Sequence, residues 1–280
     1  MKGSDLRKAL RSGQRVYGTL IVANSPRWPA DAVAHLGLDF VFIDSEHVPL
    51  DRGQLSWMCR TYAAMGIAPI VRIPSPDPYW ATMVVDGGAQ GVIAPYLERP
   101  EQARQVGSAI KLRPLRGQRL ERAASGQEPL SPELLEYTAT RNAGISFIAN
   151  IESIPAMQAL DDILKEEFLD AVLVGPHDLS TSLGVPEQYD HPDYIAAVDE
   201  IFRKARAHGK GAGIHAVYEQ AVPQEIRWAQ MGANLIVHSA DIYVFRRGML
   251  TDLAAIRGAL GDLPQGAGAG TGPAPQGGTI

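Results

Sequence analysis

Eight short apolar runs recur along this chain, and each is followed by a longer segment in which apolar and polar residues alternate with helical spacing. The runs begin at residues 18, 39, 68, 91, 145, 171, 211 and 235 and read GTLIVAN, DFVFID, APIVRIP, GVIAPYL, ISFIANIE, AVLVGP, GAGIHA and LIVHSAD. Continuous apolar strands that are separated by helices are typical of a parallel sheet whose outer face is covered. This alternation restricts the fold to the α/β class.

The number of strands favours one α/β architecture over the other. Eight βα units predict a closed (β/α)8 TIM barrel. The alternative is a doubly wound open sheet, which usually has a glycine-rich turn after its first strand, and the segment VANSPRWPAD at that place is not glycine-rich. We therefore expect one catalytic barrel over residues 1–260 and a disordered tail over residues 261–280, which are rich in Gly and Pro.

The composition limits the partners and the compartment. The 280 residues carry a formal net charge of −5 without a basic run, so neither nucleic acid nor an anionic membrane is an expected partner. No apolar stretch approaches the length of a membrane span, and residues 1–14 are too polar for a signal peptide. The single cysteine, Cys59, cannot form an internal disulfide or a cysteine-rich metal site. We expect a cytoplasmic protein.

Titratable side chains collect at one end of the predicted strands. In a (β/α)8 barrel the chemistry takes place at the C-terminal ends of the strands. The N-terminal ends here carry mostly Gly, Ala and Asp of ordinary turns. The C-terminal ends carry Asp44 with His47, Arg72, Glu152, Asp178, His215 and Asp241, with His177 and His238 close by. This one-sided distribution indicates an enzyme.

Most of these residues also have a purely structural explanation. Asp44 or Asp178 could cap the helix that follows it, and His47 could be an exposed loop histidine. Arg72 could form an ion pair with Asp44 or Glu152. Glu152 is the hardest to explain in this way, because glutamate is almost never buried without a partner or a metal.

Five motifs occur in an order and at spacings that resemble the HpcH/HpaI aldolase family: FIDSEH, VRIP, GGAQGVIAP, NIES and GPHDLS. The resemblance extends over roughly residues 18–250. It implies a phosphoenolpyruvate/pyruvate-type barrel and a class II, divalent-metal pyruvate aldolase, similar to 4-hydroxy-2-oxoheptanedioate aldolases. It also implies a homo-hexamer, a trimer of dimers in which the last helix is exchanged between paired subunits.

The resemblance also implies roles for individual residues. Glu152 and Asp178 would be the metal carboxylates. His47, paired with Asp44, would be the base, and Arg72 would bind the carboxylate of pyruvate. The further substrate-binding positions would be Asn150, Gly175, Pro176 and His177.

The chain departs from the family pattern at several positions. Asn150 replaces a longer Gln, Leu20 replaces a common Trp, and His177 stands where a small residue is frequent. The loop RPLRGQR is one residue longer, and neither His215 nor His238 has a counterpart. We therefore expect the core chemistry to be kept and the walls that select the aldehyde to differ.

Aldol cleavage requires a means of stabilising an enolate, which is either a lysine Schiff base or a divalent metal. No lysine is predicted at the C-terminal end of a strand, and Lys210 precedes the seventh strand, at the opposite end. Glu152 and Asp178 instead suit a hard cation such as Mg²⁺, Mn²⁺ or Co²⁺. The partners would be a 2-oxo acid and an aldehyde, and the lack of glycine-rich turns after strands seven and eight disfavours phosphorylated substrates.

Three other functions are considered. A malyl-CoA or citryl-CoA lyase needs a basic groove, for which the chain offers only the cluster Arg113, Arg116 and Arg119. A metal-dependent hydrolase or decarboxylase of a 2-oxo acid would be favoured by a histidine zinc site. Such a site would consist of His177, His215 and His238 with Asp241. A non-catalytic barrel that binds small acids is disfavoured, because base, metal carboxylates and arginine are all retained.

Overall fold

The eight predicted strands close into a single parallel barrel in chain order. The structure, a computed structural model, describes residues 1–218 and 221–262. The strands are β1 Val16–Ile21, β2 Phe40–Asp44, β3 Ala68–Arg72, β4 Gly91–Ala94, β5 Ser146–Ile151, β6 Ala171–Val174, β7 Gly211–Ala216 and β8 Leu235–Ala240. Pairing of β1 with both β2 and β8 completes the barrel and confirms the predicted fold. The first strand begins at Val16, two residues before the predicted run.

Helices surround this barrel. Those within the described residues are α1 Gly3–Ser12, α2 Arg52–Ala64, α3 Pro78–Gly87, α4 Pro100–Lys111, α5 Gly117–Ala124, α6 Pro132–Arg141, α7 Ile154–Gln158, α8 Leu160–Leu164, α9 Pro176–Ser182, α10 Pro192–Ala207, α11 Ala221–Gln230 and α12 Asp241–Leu260. A short π-helical turn, Pro29–Val33, lies between β1 and β2. Several helices begin with Pro in the first turn, where its missing N–H costs nothing.

The apolar core has two parts. One fills the barrel and includes Leu20, Phe42 and Ile70, against which α1 packs Leu6 and Leu10. The other part lies between the outer face of the sheet and the surrounding helices. Leu10 of α1 lies against Gly211, the first residue of β7, so this helix covers the N-terminal end of the barrel and leaves the C-terminal end for chemistry.

A buried ion cluster fixes the N-terminal end of the barrel. Asp170, which directly precedes β6, is fully buried and accepts hydrogen bonds from Arg7, Arg11 and Lys111 at 2.9, 2.6 and 2.5 Å. Burial lowers the pKa of Lys111 to about 8, and burial likewise lowers the pKa of Lys210 to about 8. Both perturbed amines therefore lie at the end opposite to the expected site, as the sequence predicted for Lys210.

The last helix, α12, is unusual because none of its side chains is buried. Its exposed apolar side chains are Ile242, Val244, Phe245, Met249, Leu250, Leu253, Ile256 and Leu260. No helix in the described part of the chain is long and apolar enough to cross a membrane. The predicted tail over residues 261–280 falls, from residue 263 onward, outside the described residues.

Candidate active site

An arginine–aspartate pair stands where β2 and β3 end. Asp44 and Arg72 are the last residues of these strands and are direct partners in the sheet register. Arg72 donates to both carboxylate oxygens of Asp44, from Nε at 2.9 Å and from Nη2 at 2.5 Å. Burial alone would raise the pKa of Asp44, but the hydrogen bonds and charge of Arg72 outweigh it and lower that pKa. The ion pair that the sequence offered as an alternative for Arg72 is therefore present.

Within the described residues the Asp44 carboxylate accepts hydrogen bonds from Arg72 and from the backbone N–H of Glu46 but none from His47, so the pairing of His47 with Asp44 stays a prediction. The carboxylate near His47 is that of Glu46, with Oε1 3.8 Å from Nε2 of His47. The other oxygen of Glu46 lies 3.1 Å from Nε of Arg72. Glu46 was not singled out in the sequence, although it stands two residues after Asp44 and alternate residues of an extended chain share a face.

Glu152 is a buried carboxylate at the end of β5. Its oxygens accept from the backbone N–H of Tyr96 at 2.8 Å and from Nδ2 of Asn150 at 3.0 Å. Burial raises the pKa of Glu152 to about 7, the Tyr96 hydrogen bond opposes this rise, and the charge of Asp178 adds to it. Gly175 makes room for the carboxylate, because a Cβ at that position would stand 2.6 Å from Oε2 of Glu152.

Asp178 lies beside Glu152 at the start of α9. The N-cap of this helix is Gly175, so Asp178 is not the cap residue but lies in the first turn, after Pro176 and His177. Its exposed carboxylate and the buried carboxylate of Glu152 both line one cavity of about 270 Å³. Strand β5 and helix α9 thus bring two carboxylates to the same side of the barrel mouth.

These residues fit a divalent cation. Asp44 and Glu46 contact the Arg72 guanidinium, and Glu152 and Asp178 line one cavity, so the carboxylates of the site outnumber its single guanidinium. Oδ1 of Asn150 is buried without a hydrogen-bond partner in the described residues. Carboxylate and amide oxygens are the ligands that Mg²⁺ and Mn²⁺ prefer. A bound cation would also offset the free-energy cost of burying the ionised carboxylate of Glu152.

The histidine zinc site, which only the alternative hydrolase function would require, does not form within the described residues. His215 points into the barrel against Phe42, and burial lowers its pKa to about 3. His238 instead pairs with Glu225 of α11 at 2.8 Å. Asp241 accepts from backbone N–H groups of residues 22 and 23. Within residues 1–218 and 221–262 no three His, Cys, Asp or Glu side chains are arranged to hold a metal.

A parallel eight-stranded barrel with carboxylates, an arginine and a histidine at the C-terminal ends of its strands defines a barrel enzyme. More specifically, the chain belongs to the HpcH/HpaI aldolase/citrate lyase family, whose sequence profile matches residues 20–242. It is an enzyme of the aldolase or lyase type that acts on 2-oxo acids.

Three known proteins illustrate the relationship. The 2-keto-3-deoxy-L-rhamnonate aldolase of Salmonella gallinarum is 31% identical over 251 residues, which cover 90% of this chain and 92% of the relative. The HpcH/HpaI aldolase of Desulfitobacterium hafniense DCB-2 superposes with a TM-score of 0.76 at 26% identity, over 90% of this chain and 96% of its own. The citrate lyase beta subunit of M. tuberculosis, solved with oxaloacetate and magnesium, has a TM-score of 0.52 at 16% identity over 82% and 93%, which shows the fold alone.

Proposed function

We propose that this chain is a class II aldolase that reversibly cleaves a 4-hydroxy-2-oxo acid to pyruvate, or hydroxypyruvate, and an aldehyde. The observation that carries the proposal is that the carboxylates of Glu152 and Asp178 line the same cavity. Within the described residues, the two lysines with lowered pKa values lie at the opposite end of the barrel. The similarity to 2-keto-3-deoxy-L-rhamnonate aldolases supports the same reaction type.

Glu152 and Asp178 would hold the cation, which we propose to be Mg²⁺, Mn²⁺ or Co²⁺. A divalent cation bound there supplies polarisation of the 2-oxo group and charge stabilisation of the enolate. Asn150 keeps the Glu152 carboxylate in place through Nδ2. Gly175, Pro176 and His177 would form the adjoining wall of the substrate site, since they lie next to Glu152 and Asp178.

Arg72 would bind the carboxylate of the oxo acid. Its hydrogen bonds to Asp44 use Nε and one N–H of Nη2, so Nη1 and the second N–H of Nη2 remain for substrate oxygens. The role of Asp44 would then be to fix the plane of the guanidinium and to compensate its charge before substrate enters. Arginine suits this role because its rigid fork cannot be deprotonated in proteins.

His47 would remove the proton of the C4 hydroxyl during cleavage and return it during addition. Its imidazole is partly exposed at the barrel mouth, beside the buried carboxylate of Glu46. A carboxylate beside a histidine can fix the tautomer and the orientation of its ring. We therefore assign the orienting role to Glu46, not to Asp44.

The alternative lyases have less support. Arg113 and Arg116 pair with Asp86 at the C-terminal end of α3, which runs toward the N-terminal end of the barrel. This places two members of the basic cluster away from the carboxylate pair, so it does not offer a groove for CoA beside the site. A zinc-dependent hydrolase would need the histidine site, but His238 is hydrogen-bonded to Glu225 instead.

We further propose a cytoplasmic homo-hexamer built as a trimer of dimers. The exposed apolar face of α12 supports association, since monomers rarely expose apolar patches of this extent. The family resemblance implies that a second copy of the chain covers this face of α12, because paired subunits would exchange their last helices. Light scattering of the purified chain measures the assembly, and Phe245→Glu should shift it toward smaller species.

The function is tested by measuring pyruvate release from a panel of 4-hydroxy-2-oxo acids with added Mg²⁺, Mn²⁺ or Co²⁺ and again after EDTA. Glu152→Ala and Asp178→Ala should abolish Mn²⁺ binding and turnover while the far-UV circular dichroism stays unchanged. Asp162→Ala, at an exposed carboxylate of α8, is the matched control and should keep full activity. Undiminished activity in excess EDTA, or an imine trapped by borohydride, would refute the mechanism.

A further inference from the structure

The turn of residues 96–98, between β4 and α4, contains a tyrosine in a backbone conformation that its residue type rarely adopts. Tyr96 has a φ of +54°, in the left-handed region where residues other than Gly, Asn and Asp are uncommon. Such strain persists only where the surroundings hold it in place. The next side chain, that of Leu97, is fully buried, so the turn cannot relax without moving a core residue.

The strained turn supplies one of two hydrogen bonds that fix the Glu152 carboxylate. The backbone N–H of Tyr96 donates to Oε1 of Glu152 at 2.8 Å, and Nδ2 of Asn150 donates to Oε2 at 3.0 Å. A carboxylate offers about four acceptor positions, so these two donors leave acceptor positions on both oxygens for a cation. Loss of either donor would let the carboxylate rotate away from the orientation that the cation needs.

The side chain of Gln102, in α4, holds this turn at both of its ends. Oε1 of Gln102 accepts from the backbone N–H of Glu98 at 3.1 Å, and Nε2 donates to the carbonyl of Tyr96 at 3.4 Å. On the other side of the turn, the hydroxyl of Ser153 donates to the Glu98 carboxylate at 2.6 Å. Because Ser153 follows Glu152 in the chain, the turn is joined to the end of β5 at two points.

A helix cap is the purely structural explanation for Gln102. It is the third residue of α4, a position from which Gln side chains often reach back to the start of their helix. The N-cap of α4 is Arg99, however, and both hydrogen bonds of the Gln102 amide go to residues that precede it. The amide therefore acts on the turn as well as on the helix end.

We propose that Gln102 is a positioning residue for the cation site, whose amide holds Tyr96 in the left-handed conformation and thereby keeps the Tyr96 N–H on the Glu152 carboxylate. This inference rests on the proposed function, since it takes Glu152 as a ligand of the cation. Among the described residues, Gln102 does not line the cavity that Glu152 and Asp178 share, so its effect reaches the site through the turn.

The test is Gln102→Met, which keeps the length of the side chain and removes both hydrogen bonds. Mn²⁺ affinity, measured by calorimetry, should fall by about 10-fold or more, as is usual when a metal ligand loses an orienting partner. In the metal-free protein, deuterium uptake by the segment of residues 94–98 should be about 10-fold faster, because the turn opens more often. Gln105→Met, at an exposed glutamine of the same helix, is the control and should keep both parental values.

A double-mutant cycle with Tyr96→Gly separates this route from a loss of helix stability. Glycine adopts positive φ without steric cost, so in that background Gln102→Met should lower Mn²⁺ affinity by about 3-fold at most. Parental Mn²⁺ affinity in Gln102→Met, or equal losses in both backgrounds, would overturn the inference. A parent enzyme that binds none of Mg²⁺, Mn²⁺ and Co²⁺ would instead refute the proposed function. The deuterium uptake needs no cation, and parental uptake in Gln102→Met would show that Gln102 does not hold the turn.

Discussion

Substitution of Gly175 by Ala tests how closely the backbone of α9 approaches the Glu152 carboxylate. The added Cβ would stand 2.6 Å from Oε2 and 3.3 Å from Cβ of Glu152, whereas ordinary contacts begin at 3.4 Å. The carboxylate must therefore retreat by roughly 0.8 Å. Movement of a reacting group by about 1 Å costs on the order of 10²-fold in rate. We expect Mn²⁺ affinity and kcat to fall by 10- to 100-fold.

The assay is Mn²⁺ titration by calorimetry, combined with pyruvate release at saturating Mn²⁺. Overpacking should lower the free energy of unfolding by about 1–3 kcal/mol, too little to unfold a barrel of this size. Gly87→Ala is the matched control, because a Cβ there meets only Ser56 at an ordinary 3.8 Å. Parental Mn²⁺ affinity in Gly175→Ala would refute the reasoning that Gly175 shapes the carboxylate site.

Three further predictions concern Asp44, Arg72 and the His238–Glu225 pair. Asp44→Asn should lower the free energy of unfolding in urea by about 3 kcal/mol, near the low end for a broken buried ion pair because Glu46 remains beside Arg72. The pKa of Asp44 in the folded protein is lowered, so its contribution to stability is complete above the ordinary pKa of 3.8 and is lost as pH falls through the lowered value. Asp44→Asn should lack this pH dependence. Arg72→Lys should raise KM for the oxo acid at least about 10-fold, because an ammonium cannot keep the Asp44 contacts and also bind a substrate carboxylate. A normal KM together with reduced stability would show that Arg72 has only a structural role. The hydrogen bond that His238 donates to Glu225 raises the pKa of His238. The stabilisation that this pair gives is therefore full below the ordinary pKa of 6.5 and is lost as pH rises through the raised value, and thermal unfolding of Glu225→Gln should not show this loss.

The fold could be predicted because strand signals are local. Eight apolar runs were visible without any knowledge of pairing, and the closed parallel barrel follows from their number and spacing. Asp44 and Arg72 were also visible, as polar residues that end apolar strands. Their mutual pairing was left open, since only the register of β2 against β3 brings them side by side.

The features of the candidate site that could not be predicted from the sequence depend on non-local geometry. Nothing in the sequence marks Tyr96 as a residue at positive φ, because turns of that kind usually contain Gly, Asn or Asp. The environments of the histidines in β7 and β8 could not be predicted for a related reason. His215 faces the barrel interior whereas His238 faces α11, and strand parity relative to a closed barrel decides between these environments.

The proposed chemical groups occupy one continuous arc of the barrel rim, from Asp44 after β2 to Asp178 after β6. The remaining arc, formed by β8, β1 and β7, contributes Leu20, His215 and His238, three of the positions at which we expect a departure from the family pattern. His215 packs against Phe42, over which the Arg72 guanidinium lies, whereas His238 pairs with Glu225 of α11. Substitutions of His238 should therefore disturb the proposed groups less than substitutions of His215. Laboratory evolution toward new aldehydes should therefore begin with libraries at His238 and its neighbours at the end of β8 and keep His215 unchanged.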